Sequence, residues 1–265
     1  DLLVLPEIYS EFICEIAPGV PHAVLNQNQF YTFHTSSISP DSWRAVHCDD
    51  TLGMIAVSQY GVDYLRYCFP TVPVHRLDYG VDSKVFFPPA VKKDKKISFM
   101  PRKRFDDLRQ IFRILDLRGA LDGWTLNPID AMSETQVAEN LRSSAIFLSM
   151  NDIEGFGIPP IEAMASGCLV VGYDGVGGRE YMNRSVSIPI DSDDVYAFAC
   201  AMEKVLNGWG KDQEIDEKIT QGIQLVAHEY SKEREEQDII RIFSELSELA
   251  KDREPRSTSF VKTDL

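Results

Sequence analysis

Glu154 and Glu162, with seven residues between them, flank a turn whose residue types suit a sugar phosphate. The stretch reads EGFGIPPIEAMASG from Glu154 to Gly167. Gly155 and Gly157 let a ligand approach the backbone closely, and Pro159 and Pro160 suit the first positions of a helix. A helix N-terminus offers free N–H groups and a positive dipole end to phosphate. Carboxylates beside it accept hydrogen bonds from sugar hydroxyls. Each glutamate alone could equally complement the helix dipole.

Arg102, Lys103 and Arg104 follow the apolar run ISFM (97–100). A strand parallel to the one before Glu154 would deliver them to the same sheet edge. Arginine and lysine make charge-assisted hydrogen bonds to phosphate oxygens, so the cluster reads as a diphosphate clamp, with a solvated turn as the plain alternative.

The elements that must carry these residues are legible as an alternation. AIFLSM (145–150) predicts a buried strand broken at Asn151 and Asp152, IEAMA a helix ending at Gly167, and LVVGYD (169–174) a second strand. Upstream, residues 106–117 have helical spacing, 123–130 a short strand and loop, and 133–144 a helix capped by Ser133. This is the βα alternation of a doubly wound parallel sheet. Near the start, LLVLPEIY, HAVLNQNQF (22–30), MIAVSQYGVDYLRYCF (54–69) and VHRLDYGV (74–81) each look like strands, the third running into a helix. PPAVKKDKK (88–96) reads as a linker, and 231–251 as an amphipathic helix with Ile239, Ile240, Ile242, Phe243, Leu246 and Leu249 on one side. The polar tail from Asp252 reads as frayed.

EGFG-I-P-P-I-EAMA-S-G resembles the signature of retaining GT-B glycosyltransferases, especially glycosyltransferase family 4. The likeness continues to Gly177, Gly178 and Glu180 in GVGGREYM, and to Gly80, Val81, Asp82, Phe86 and Pro88 at the family's domain boundary. The resemblance implies two Rossmann-like doubly wound domains, over 1–88 and 89–240, with residues 241–265 closing the chain. The first is incomplete, since the family's early glycine-rich strand–loop–helix has no counterpart. It implies transfer of a sugar from a nucleoside diphosphate sugar, with retention, to a glycan, lipid or small-molecule acceptor. Glu162 would hold the ribose hydroxyls, and Glu154 with the backbone of Gly155, Phe156, Gly157 and Ile158 the donor sugar. Arg102 and Lys103 would stabilise charge on the leaving diphosphate, with Arg104 as the alternative to Lys103. Asn127 to Ile129 would lie near the base. His34 lies where some members carry a catalytic-region histidine, but a lone histidine also reads as structural. A nucleotide-sugar binding module without transfer and a purely structural Rossmann-like domain are the rival readings.

Composition narrows the rest. A formal charge of −14, from 27 basic and 41 acidic residues, disfavours nucleic acid and anionic membrane as partners. No apolar run reaches the length of about twenty residues needed to cross a bilayer, and no leader opens the chain, which predicts a cytoplasmic protein. The five cysteines show no paired spacing and read as reduced thiols. No metal or other cofactor is expected: Asp191, Asp193 and Asp194 read as helix caps, and GVGGRE lacks the last glycine of a dinucleotide fingerprint. A start at Asp1 within an apolar strand predicts a fragment that binds donor, transfers poorly, and self-associates through the open edge of its short first sheet.

Overall fold

The computed structural model describes residues 2–34, 48–91 and 93–251, with only the backbone of Glu11. The chain divides into two compact units: Asp1–Leu77 together with the chain from Gln237, and Asp78–Glu236.

In the first unit, short runs rich in branched and apolar residues form strands, and polar side chains end them. β1 (Leu3–Pro6) is followed by a 3-10 segment, Glu7–Phe12, and a single turn, α1 (Ile13–Ile16). β2 (His22–Asn26) gives way to a 3-10 turn, Gln29–Tyr31, capped by the Asn28 side chain, which accepts from Phe30 N. β3 (Thr51–Ala56) leads into α2 (Gln59–Cys68), whose cap Ser58 accepts from Gly61 N at 3.0 Å. β4 (Val74–Arg76) completes a parallel sheet of order β1-β2-β3-β4. All six residues of β3 are buried, as expected of a parallel strand covered on both faces. The predicted strands at 2–9, 22–30 and 74–81 are thus shorter than their apolar runs; after the second, the Asn28 cap competes with the ladder.

The second unit begins before the expected linker. Val81 bridges to Ser231, Arg142 donates to Val85 O at 2.9 Å, and the Arg142 guanidinium lies 4.3 Å from the centre of the Phe87 ring. Residues 78–88 therefore pack with the unit they precede, which differs from a boundary at 88/89. The linker reading of 88–96 also gives way. β5 (Asp94–Phe99) starts inside it, and Lys93 donates to Leu141 O and Ser144 O at 2.8 and 2.7 Å. Then come α3 (Phe105–Leu117), β6 (Thr125–Pro128), α4 (Glu134–Ser143), β7 (Ser144–Glu154), α5 (Ile158–Ala165), β8 (Leu169–Val176), β9 (Ser187–Ile190), α6 (Val195–Gly208) and α7 (Gln213–Glu229). Ser133 and Gln136 form a reciprocal capping box at α4, and Asp194 caps α6 by accepting from Ala197 N.

The sheet is parallel, in the order β6-β5-β7-β8-β9. Succession along the chain reverses between β5 and β7, which makes a switch point where two loops diverge and leave a crevice. Ile97, Ile146, Leu148, Val171 and Tyr173 from the sheet pack with Leu108, Ile111, Phe198 and Met202 from the helices. β7 does not break at Asn151: it runs to Glu154, because β8 pairs alongside it as far as Val176 after a register shift.

α8 (Lys232–Lys251) ends the described chain. Ile242 and Leu246 are buried against Ala23, Leu52 and Ile55 of the first unit. The predicted six-residue stripe is only partly used, since Ile239, Ile240 and Leu249 stay exposed. The expectations for Asp1 and for the tail from Asp252 lie outside the described residues. Among the described residues, no helix is long and apolar enough to cross a membrane.

Candidate functional site

Two loops leave the switch point. The first, after β5, carries Arg102, Lys103 and Arg104; the second, after β7, carries Glu154, Gly155, Phe156 and Gly157. Lys103 Nζ donates to Glu154 Oε1, so residues 51 apart in sequence meet across the crevice. Both side chains are partly buried, and desolvation, reinforced by the charge of Arg102, holds the Lys103 ammonium below its usual range. Arg102 is exposed.

Arg104 is differently employed. Its backbone adopts a left-handed conformation, φ 47°, at the N-terminus of α3. Its guanidinium bonds to Asp152 at 2.7 Å, to Asp107 at 3.3 Å and to Asp193, and lies 5.2 Å from the centre of the Tyr173 ring. Three carboxylates and an aromatic face occupy the donors that a phosphate would need. Asp193 is thereby an ion-pair partner rather than a cap; Asp194 alone serves as the cap of α6.

The second loop is bolted from below. Phe156 is buried, with ring centroids 5.0 Å from Tyr181 and 5.5 Å from both Tyr79 and Tyr230. Tyr181 Oη donates to Phe156 O at 2.8 Å and Gly157 O at 2.5 Å. The Phe156 side chain is therefore an anchor, and only its backbone can face a ligand. Gly157 needs its glycine twice: φ is +86°, and a Cβ there would lie 2.5 Å from Asn151 Nδ2. Ile158 opens α5 and is 38% exposed. Pro159 and Pro160 follow it inside the first turn. The prolines carry no N–H, so the amides of Gly157 and Ile158 are the donors nearest an anion.

Glu162 sits on α5 one turn further on. Burial first, then the neighbouring charge of Glu134, pushes its carboxyl up to about 7, while Lys232 acts in the opposite direction. Tyr230 Oη donates to Glu180 at 3.3 Å, which ties the Gly177–Glu180 turn to the same aromatic group.

The residues expected near the base face inward. Asn127 Nδ2 donates to Ser98 Oγ at 2.8 Å and Asn140 Oδ1 at 3.1 Å, and Ile129 is buried with its N–H on Phe99 O. Sequence reasoning missed Asn151, Asp152 and Tyr181. Asn151 and Asp152 looked like a strand end, and Tyr181 carried no local signal.

Residues 127–222 match the family model for glycosyl transferases group 1. The matched stretch holds Glu154, Glu162 and Glu180, and the basic loop precedes it. An alpha-1,6-glucosyltransferase of Actinobacillus pleuropneumoniae serotype 7 is 26% identical over 262 residues, covering 93% of this chain and 75% of that protein. Among solved structures, sucrose-phosphate synthase from Thermosynechococcus elongatus superposes with a TM-score of 0.69 at 15% identity, over 93% of this chain and 74% of that one. TarM from S. aureus, solved with UDP, gives 0.66 at 14% identity, over 89% of this chain and 58% of that one. The two parallel-sheet, Rossmann-like units thus have the GT-B fold. The chain spans between 58% and 75% of the length of these three proteins.

Proposed function

We propose that the chain is a retaining, metal-independent glycosyltransferase that moves a sugar from a nucleoside diphosphate sugar to an acceptor hydroxyl. The observation that carries this reading is the contact of Lys103 with Glu154 at the switch point of the group 1 region. It joins a cation suited to a diphosphate and a carboxyl suited to sugar hydroxyls at one place. Arg102 and Lys103 neutralise charge as the bond from the anomeric carbon to the diphosphate breaks, so no divalent ion is required. Glu154 and the amides of the Gly155–Gly157 turn hold the donor sugar. Glu162 accepts hydrogen bonds from the ribose diol, and the sugar keeps its anomeric configuration.

UDP is the first nucleotide to try, because TarM was solved with it. Calorimetry of the wild type with UDP, GDP and ADP in the presence of EDTA should find saturable binding of one of them. Binding of none, or only with Mg²⁺ or Mn²⁺ restored, would overturn the reading. A turnover assay with the corresponding nucleotide sugars separates a transferase from a binding module, which would hold nucleotide and release no sugar.

A further inference from the structure

Two of the five thiols meet in the first unit. Cys14 lies on α1 and Cys48 in the turn before β3, 34 positions apart in sequence, and their side chains are hydrogen-bonded to one another. The backbone around them is fixed. Thr51 N donates to Cys48 O at 2.9 Å and Cys48 N to Thr51 Oγ1 at 3.2 Å, which closes the turn. Asp50 then ties that turn to the chain that follows α1: its Oδ2 accepts from Gly19 N at 2.8 Å and its backbone O from His22 N at 3.0 Å. His22 Nε2 and Thr51 Oγ1 share a further hydrogen bond at 2.9 Å. The contact of the two thiols is thus held from both sides by bonds that belong to the fold.

Neither thiol is sealed in. Cys14 and Cys48 are both half-buried, so a small reagent reaches them in the folded chain. Cys168, by contrast, is 2% exposed and accepts from Lys93 Nζ at 3.3 Å, while Cys200 is exposed on α6. Burial first, then the hydrogen bond and charge of Cys48, with Asp50 and Glu15 adding to them, push the Cys14 thiol above its usual range. The thiolate is the attacking form, so Cys14 is a poor first nucleophile. Cys48 takes that part.

We propose that Cys14 and Cys48 are a redox-responsive pair, which a small-molecule disulfide of the glutathione class converts reversibly into a bridge between α1 and the turn before β3. The Cys48 thiolate attacks one sulfur of the reagent, whose S–S bond breaks; one half leaves and takes up the proton that Cys48 gave to solvent. The other half stays on Cys48 as a mixed disulfide. That step also removes the charge and the hydrogen bond through which Cys48 raised Cys14. Cys14 then loses its proton and attacks Cys48 Sγ, and the second half leaves as a thiol. Two protons and two electrons pass from the protein to the reagent's disulfide, and nothing else is consumed. The bridge closes the chain over β2 and so restricts the unfolded state. It forms whether or not the chain transfers sugar.

The test equilibrates the folded full chain with graded ratios of oxidised to reduced glutathione, blocks free thiols with N-ethylmaleimide, and reads intact mass, peptide map and melting temperature. The wild type should lose two blockable thiols together, yield a linked Cys14–Cys48 peptide, and melt about 5–10 °C higher than the reduced chain. Excess reduced glutathione should restore both thiols and the lower melting temperature. Cys14→Ser should hold one glutathione on Cys48 and show no such rise, and Cys48→Ser should leave Cys14 blockable. The linked peptide is read on the wild type, so failure of a serine variant to fold does not blur the result. Glutathione on Cys200 alone, or a linked peptide that appears only in urea, would overturn the inference.

Discussion

Gly177 lies on Gly155 so closely that a Cβ on Gly177 would stand 2.1 Å from the Gly155 carbonyl oxygen and 2.7 Å from that of Glu154. Both obstacles are backbone, so neither can swing aside. Val176, which leads into this contact, holds φ at 72°, a strained value for a β-branched residue, and its N–H donates to Asp174 Oδ1 at 2.7 Å. The second glycine turn thus fixes the height of the loop that carries Glu154. Gly177→Ala should cost about 1–3 kcal/mol by overpacking and, on the proposed function, weaken binding of the nucleoside diphosphate by moving that loop. Urea unfolding and calorimetry would read both, and wild-type values for the folded variant would show that the loop is not braced there.

Glu162 ties stability to pH. Its folded-state value of about 7 stands above the ordinary carboxyl value of 4.5, so the folded chain holds this proton more tightly than the unfolded one. The associated stability is complete below pH 4.5 and is lost as pH rises to 7, amounting to on the order of 3 kcal/mol. Glu162→Gln removes the penalty of ionisation. It should melt higher than wild type at pH 8 and close to wild type at pH 5. A difference independent of pH would argue that the carboxyl is not held protonated in the fold.

Donor binding should show the opposite sign. Hydrogen bonds from the ribose diol favour the ionised form of Glu162, so nucleotide affinity gains as pH rises through about 7. Glu162→Ala should lose roughly 1.5–3 kcal/mol of it, about ten- to a hundredfold. The pH-dependent part shared by wild type and Glu162→Gln belongs to the ligand's phosphate, and only the excess in the wild type reports the glutamate. Absence of an excess would remove Glu162 from the ribose.

Arg102 and Arg104, two positions apart, should behave unlike each other. Arg102 is exposed, so Arg102→Ala should change stability by no more than about 0.5 kcal/mol while, on the proposed function, weakening the nucleoside diphosphate far more than the bare nucleoside. Arg104→Ala leaves Asp107, Asp152 and Asp193 facing one another and bares the Tyr173 ring, and should cost about 1–3 kcal/mol of stability. Denaturation curves and paired titrations with the nucleoside diphosphate and its nucleoside would show the split. Equal losses for both ligands in Arg102→Ala would count against a diphosphate clamp.

Tyr181→Phe removes one hydroxyl that serves two carbonyls of the loop, Phe156 O and Gly157 O, and nothing else in the box of rings. The cost should be about 1–3 kcal/mol, and amide exchange should quicken from Gly155 to Ile158 before it does so in β7. Unchanged exchange in the loop would show that ring packing alone holds it.

The residues of EGFGIPPIEAMASG declared a strand, a glycine turn and a helix because each has a local cause. Glycines permit φ near +86° and +76° at Gly157 and Gly167, prolines fit the first helical turn, and small apolar residues follow. The βα alternation likewise fixed the fold class, and β5 and β7 lie beside one another because a parallel sheet built from such units puts them there. That Glu154 should meet a cation was legible in outline. Which cation was not. Lys103 reaches Glu154 across 51 residues, and Arg104 is taken by Asp193 across 89, pairings decided by loop height and by the left-handed turn at Arg104. Asn127 and Ile129 turned inward because the neighbouring strand β5 offered them Ser98 and Phe99, partners 29 and 30 positions away. Tyr181, 25 positions from Phe156, supports the loop through a hydroxyl that no period in the chain could announce. Helix and strand signals repeat every few residues, whereas these contacts arise once each, where two chain segments come to lie together. Sequence determined the parts and their order, and only the assembled sheet decided which side chains were left for a ligand.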